Sequence, residues 1–332
     1  MKSILASLSR LLTSDILEVR ALRPPGHQLA LEPSSKRGVY EGKRYTDELK
    51  NEEKELSKRH RGRFDPMNEA PYELSRGRVE NYLRCKACFW LEQIHKVKPP
   101  EIPSFTLNTT TDILLKRDAD AVRGRSTLPL WEKAGLGHMI PWQHDHLENW
   151  ANSLHYGLND TYFNTVHDET NIKFGGGIDD VFLNTKTNQL HIVDYKSQAQ
   201  GTRSPIKYEV KPSSLNDPWK IGYKRQMDMY IWVARRKGFN VSGTGYFVYV
   251  DAQHKDIEGM LIDDDPSIAW MKFNASIIPY KADTSWIEPI LIEIKSFLMN
   301  QAFCPEHTPK GDDFTGCDVG RYANAMMAAL GK

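Results

Sequence analysis

The chain lacks any apolar run approaching the roughly eighteen residues that a membrane-spanning helix needs, so no segment reads as a membrane span. It also lacks a dominant charge. Against 43 Asp and Glu stand 44 Lys and Arg, a formal net charge of +1, so no global field advertises a polyanionic partner. Cysteine is scarce, with 4 in 332 residues, and the N-terminus has no apolar h-region of a secretory signal. Thiols in that setting point to a reducing compartment, where they bind metals or stay free rather than pair as disulfides. No internal repeat is found. What is there, 40% hydrophobic and 26% charged, is the composition of an ordinary globular protein, long enough for one large domain or two modest ones.

The apolar spacing of Ile4, Leu5, Leu8, Leu11 and Leu12 predicts a short amphipathic helix or interaction arm, and Asp15 and Glu18 argue against a transit peptide. Residues 24–70 are polar and charged without apolar periodicity. We expect residues 1–72 to be an N-terminal extension, partly helical or flexible, and residues 73–332 to carry the folded domain. Lys58, Arg59, Arg61 and Arg63, with Arg76, Arg78, Arg84 and Lys86 soon after, read as a solvated basic face rather than a phosphate-contacting strip. Ser75 is placed to cap a helix bearing Val79, Tyr82, Leu83 and Phe89, broken at Lys98-Pro99. Further helices are expected after Asn108, over His144 to Leu154, and over Trp286 to Met299. Another opens at Asp217-Pro218 and stops at Gly238, with Tyr223, Met227, Tyr230, Ile231 and Ala234 as its apolar stripe. Trp219, Tyr223 and Trp232 read as core residues. Gly245 to Val250 alternates as a strand.

The most informative stretch is Phe174 to Lys196, in which two strand-like runs flank a polar turn from Asn184 to Gln189. Side chains alternate faces along a strand, so Asp179 shares a face with Val181 and Leu183, and Asp194 and Lys196 share one with Ile192 and Leu190. If Leu183 opposes Leu190, the same register sets Asp179 opposite Asp194. Like charges so opposed are destabilising, and a hard divalent cation held by carboxylate oxygens resolves the conflict. Asp179 and Asp194 are the candidate ligands, and the backbone carbonyl of Tyr195 offers a third oxygen. Lys196 is then placed beside an attacking water or a phosphate. Gly175, Gly176 and Gly177 are expected to let a nucleic-acid backbone approach closely.

These residues, Gly-Gly-Ile-Asp around Asp179, Asp-Tyr-Lys at 194–196 and Gln226-x-x-x-Tyr230 one helical turn apart, resemble the PD-(D/E)XK nuclease superfamily and, within it, its RecB-like branch. The resemblance implies an α/β fold with a mixed central sheet flanked by helices, and hydrolysis of DNA with Mg²⁺ or Mn²⁺. It implies roles for Gln226 and Tyr230 at the substrate backbone or the catalytic lysine. In that branch a histidine on a helix ahead of the sheet helps bind the metal, and His144 fits best, with His138 and His146 close by. The partners so implied are single- or double-stranded DNA and a helicase or recombination protein, in the cytoplasm of a bacterial cell or phage-infected host. The competing reading is a catalytically silent DNA-binding or scaffold subunit on the same fold; against it, neither acid nor the lysine is missing. A carboxylate-pair glycosidase is disfavoured, because Asp-x-Lys puts a cation where a protonatable acid is needed.

Some RecB-like nucleases also join their termini through a four-cysteine iron–sulfur cluster. Cys85, Cys88, Cys304 and Cys317 are the corresponding thiols, but they divide two and two, and Gly320 stands where a late Cys-x-x-Cys would close. A [4Fe-4S] cluster, Zn²⁺ on four thiolates, Zn²⁺ on three thiolates and His307, and free interior thiols all stay open.

Overall fold

The computed structural model describes residues 59–99, 105–151, 161–199, 210–254, 257–262, 265–300, 304–308 and 316–331. The expected N-terminal helix lies outside the described residues. Residues from Leu56 onward form one unit. Its helices are α1 (Arg76–Arg84), α2 (Lys86–His95), α3 (Thr106–Val122), α4 (Pro129–Lys133), α5 (Leu147–Ala151), α6 (Ile221–Arg236), α7 (Ile287–Met299) and α8 (Asp318–Ala329). Its strands are β1 (Tyr72–Ser75), β2 (Met139–Pro141), β3 (Asn164–His167), β4 (Ile172–Gly175), β5 (Asp180–Asn184), β6 (Gln189–Ala199), β7 (Thr244–Ala252), β8 (Leu261–Ile262), β9 (Asp265–Ala269) and β10 (Phe273–Lys281). No described helix is long and apolar enough to cross a membrane.

The central sheet is mixed, in the order β10-β7-β6-β5-β2, with β6 and β7 parallel and the other neighbours antiparallel. Parallel neighbours need a crossover, and α6 supplies it between β6 and β7. One face of the sheet, with Val181, Ile192, Phe247 and Tyr249, packs on Met227, Tyr230, Ile231 and Ala234 of α6 and on α7. The other, with Phe182, Val193 and Val248, packs on Trp131 and Met139 and on Leu115 of α3. Helix α6 and strand β7 approach closely at Gly245, where an added Cβ would lie 2.2 Å from the Met227 sulfur. A smaller sheet, β1-β4-β3, packs on α6, with His167 and Phe174 against the Trp232 ring.

The β5–β6 hairpin closes as its sequence predicts. Asn184 Oδ1 accepts from the backbone N–H of Lys186 (3.0 Å) and Thr187 (3.2 Å), and Asn188 takes a left-handed φ of 55°. Leu183 pairs with Leu190, as expected, so the faces of the two strands are those read from the sequence. β6 outruns β5, which begins only at Asp180 opposite Val193. Beyond that point Asp194, Tyr195 and Lys196 pair with β7 alone.

Several expectations need correction. The stretch from residue 59 to Tyr72 is packed rather than a loose extension: Phe64 and Tyr72 enter the core with His60 against both rings, at centroid distances of 5.3 and 4.7 Å. Three rings separated by turns carry no helical or strand period, so the pattern was invisible. Arg59 forms an ion pair with Glu73, Arg78 with Glu92 and Lys86 with Glu293, so much of the basic run is spent within the molecule. The single helix expected after Ser75 is two, because Cys85 is extended between α1 and α2. Ile113 and Leu114 of α3 face outward, whereas Thr111 and Ala119 are buried. Trp219 is 52% exposed rather than in the core. Gly175 and Gly176 are crowded by the protein itself: an added Cβ would meet the Phe163 carbonyl oxygen at 2.3 Å and the Tyr230 ring at 3.1 Å, respectively.

The obstacle at Gly175 is paired backbone, since Asn164 opposes it on β3. Gly175→Ala is therefore expected to cost at least about 1–3 kcal/mol, the usual scale of overpacking, read from the urea midpoint. A midpoint equal to that of the unaltered protein would contradict the close approach.

Candidate active site

Where β5 stops short, β6 has backbone groups with no strand beside them. The Tyr195 N–H is satisfied instead by Asp179, whose Oδ2 accepts it at 2.9 Å. That bond turns the Asp179 carboxylate across the end of β5 toward β6. In an extended strand a residue's C=O points to the same side as its N–H, so the Tyr195 carbonyl faces Asp179 as well. The next residue, Asp180, turns to the opposite face and is fully buried. Arg123 grips it with two hydrogen bonds, of 2.8 and 2.9 Å, and the Tyr195 hydroxyl donates to it at 3.0 Å. Of two adjacent aspartates, one is a structural anchor tying the end of α3 to the sheet, and the other faces the site.

Asp194 is buried. Gln226 Nε2 donates to its Oδ1 at 2.9 Å, and the Lys196 ammonium pairs with its Oδ2. Gln226 is within 3.2 Å of the Tyr230 hydroxyl, which in turn donates to the Gly177 carbonyl. One turn of α6 thus braces the acid and the glycine run together. Lys196 also lies 4.9 Å from the centre of the Tyr223 ring. Asp179 and Lys196 keep some exposure, 23% and 15% of their side chains, so the group opens to solvent from the Asp179 side.

Burial pushes the Asp194 carboxyl up to about 7; Lys196 pulls it down, and the Asp179 charge adds to the rise. Burial alone would lower Lys196, but the two carboxylates outweigh it and its pKa is raised, so it is an ammonium at neutral pH. The site also contains a pair that the sequence reading missed. Lys116 on α3 bridges Asp112 at 2.9 Å and Asp179 at 3.3 Å. Burial, and then the Asp179 charge, raise the Asp112 carboxyl. The only sequence signal was Asp112-x-x-x-Lys116, an i,i+4 pair common on solvated helices. Arg76, the first residue of α1, adds positive charge felt at Asp194.

The structure therefore brings Asp179, Asp194, Tyr195, Lys196, Gln226 and Tyr230 together, but not His144. His144 stacks on Trp142 at 4.6 Å and lies tilted against Trp150 at 4.8 Å, with Phe239 edge-on. The titratable groups nearest it are His146, Asp145 and Lys237. Among the described residues it forms no common donor group with the acids. The expectation failed because an aromatic cage on the sheet flank holds the ring; family order alone had pointed to it.

A second group lies at the corner between α1 and α2. Cys85, Cys88, Cys317 and His307 place one donor atom each within 4.8 Å of the others, a set compatible with a metal ion. Cys304, expected as the fourth thiol, is exposed and its thiol is directed to the Pro305 carbonyl at 3.5 Å. The four-cysteine set is thus corrected to three cysteines and a histidine.

Comparison with curated proteins gives no match, and neither does comparison with solved structures. A family model does match, over residues 73–284, and those residues hold the acid pair, Lys196, Gln226 and Tyr230. With well over half of its length inside that match, and with the mixed sheet and flanking helices described above, the chain belongs to the PD-(D/E)XK nuclease superfamily.

Proposed function

We propose that the protein is a metal-dependent nuclease that hydrolyses phosphodiester bonds in DNA. The observation that carries this reading is the meeting of Asp179, Asp194 and Lys196 where β6 outruns β5. The donors suit a hard divalent cation. Two carboxylates and a carbonyl are oxygen ligands, and Asp194 Oδ2 is buried with no directed hydrogen bond, only the Lys196 ion pair. Asp179, Asp194 and the Tyr195 carbonyl would hold Mg²⁺ or Mn²⁺. Such an ion supplies Lewis-acid stabilisation and an acidified water.

The remaining work belongs to the chain's own groups. Lys196, kept charged by its two acids, places an ammonium where a phosphoryl group gathers negative charge. Gln226 fixes the rotation of Asp194, and Tyr230 fixes Gln226. Arg76 and Lys116 add charge for a polyanionic backbone to approach. Trp219, exposed close to Tyr223, offers a face on which a base can stack.

The purified protein is expected to digest linear DNA with Mn²⁺ or Mg²⁺ and to stop in EDTA. Lys196→Ala should lower the rate by at least about 100-fold, the scale set by removal of one transition-state contact. Equal rates for the two proteins would remove the reading, and binding without cleavage by the unaltered protein would support a silent DNA-binding subunit instead.

Acidity gives a second test. Folding raises Asp194 to about 7, so from about pH 4 upward the folded chain holds a proton that the unfolded chain has lost. This stabilisation is complete below the unfolded value and fades as pH rises through about 7. A cation needs the ionised form, so Mn²⁺ affinity should climb by up to about tenfold per pH unit below that point and then level off. Affinity measured by calorimetry that is flat across this range would contradict the assignment of Asp194 as a ligand.

A further inference from the structure

Three sulfurs and one ring nitrogen meet at the α1–α2 corner in a way that hydrogen bonding does not account for. His307 Nδ1 lies 3.5 Å from Cys85 Sγ, 3.6 Å from Cys88 Sγ and 3.5 Å from Cys317 Sγ. A single ring N–H directs itself at one acceptor, whereas here the nitrogen is equidistant from three. Cys88 and Cys317 sulfurs are 3.2 Å apart, well beyond the roughly 2.0 Å of a disulfide. A ring nitrogen held at one distance from three clustered sulfurs is how four donors gather around a metal ion. With metal–sulfur bonds of about 2.3 Å and a metal–nitrogen bond of about 2.0 Å, tetrahedral angles set nitrogen about 3.5 Å from each sulfur.

We propose that Cys85, Cys88, Cys317 and His307 bind one mononuclear Zn²⁺ as a closed structural site. The same spacing argues against an iron–sulfur cluster. Thiolates that each hold a different iron of a cubane sit on the order of 6 Å apart, and ligands split between two irons are similarly spread. Here all donors fall within 4.8 Å, and Cys304 is turned away. Three thiolates and an imidazole are a donor set for zinc, and with four protein donors no position is left for a substrate or a reacting water.

The surroundings are arranged for thiolates. Cys85 is the N-cap of α2 and Cys317 the N-cap of α8, so two sulfurs sit at positive helix ends. The Gly320 N–H donates to Cys317 Sγ at 3.2 Å, three residues on. Gly320 makes the histidine's place possible, because an added Cβ there would lie 2.2 Å from His307 Cβ and 2.3 Å from Cγ. The site also explains a break that the sequence did not predict. Cys85 leaves the helical path to present its sulfur, dividing α1 from α2. The ion would tie residues 304–308 and α8 to that corner, where Arg84 Nε already donates to the Gly316 carbonyl at 3.2 Å.

Metal analysis of the purified full-length chain tests this without reference to nuclease activity. About one zinc per chain is expected, with neither iron nor acid-labile sulfide. Titration of the stripped protein with Co²⁺ should give the intense visible bands of a tetrahedral thiolate site. His307→Ala should lose the zinc, and Cys304→Ser should keep it. Gly320→Ala removes none of the four donors and favours helix, but its Cβ would press on the His307 ring, so it should weaken zinc binding by about 10–100-fold, the scale for residues that orient a ligand. Iron with sulfide, a wild-type chain that takes up neither zinc nor cobalt, loss of zinc in Cys304→Ser, or unchanged affinity in Gly320→Ala would each overturn the assignment.

Discussion

The site depends on a mismatch in strand length. β6 continues past the start of β5, and the sheet is left with an unpaired N–H at Tyr195 just where a second acid waits on the same face. Asp179 fills the gap with its carboxylate, because a buried backbone donor without a partner is costly. The same hydrogen bond that completes the sheet brings the charge of Asp179 toward Asp194. Structure and proposed chemistry thus share one contact, and a one-residue slip of β5 along β6 would turn Asp179 to the opposite face from Asp194.

Around that contact the molecule separates scaffold from reactivity. Asp180 and Arg123 form a buried, bidentate pair on the opposite face, and breaking such a pair typically costs about 3–5 kcal/mol. Asp179 is held more loosely, by one backbone N–H and the Lys116 ammonium, and stays partly exposed. Asp194 lies between these extremes, buried yet accompanied by the Lys196 ammonium and the Gln226 amide. The Cys85–Cys88–Cys317–His307 group sits apart, at the corner of α1 and α2, where it governs how the last helix attaches rather than what happens at the sheet.

Much of the β5–β6 hairpin was legible because strands announce themselves by alternation. Leu183, Leu190, Asp179 and Asp194 follow from a period of two and one turn. Gln226 and Tyr230 follow from a period of 3.6 on a helix whose caps, Asp217-Pro218 and Gly238, stand in the sequence, although the first turns there are 3₁₀ rather than α. What was not legible is contact between distant segments. Lys116 reaches Asp179 across 63 positions, and no local pattern distinguishes it from a surface lysine. The His144 cage joins Trp142 of its own loop to Trp150 on α5 and to Phe239, in the loop after α6. His307 displaces Cys304 from the cysteine group only because Gly320, on another segment, has no side chain.

The central claim is that Asp179 and Asp194 converge on a single cation, and a double-mutant cycle on Mn²⁺ affinity measures this most directly. Asp179→Asn and Asp194→Asn, singly and combined, would be compared by calorimetry or by the spectrum of the bound ion. Shared ligation predicts that either change alone removes most of the affinity and that the combination is scarcely worse. Independent, additive losses, or undiminished binding in either single variant, would contradict it.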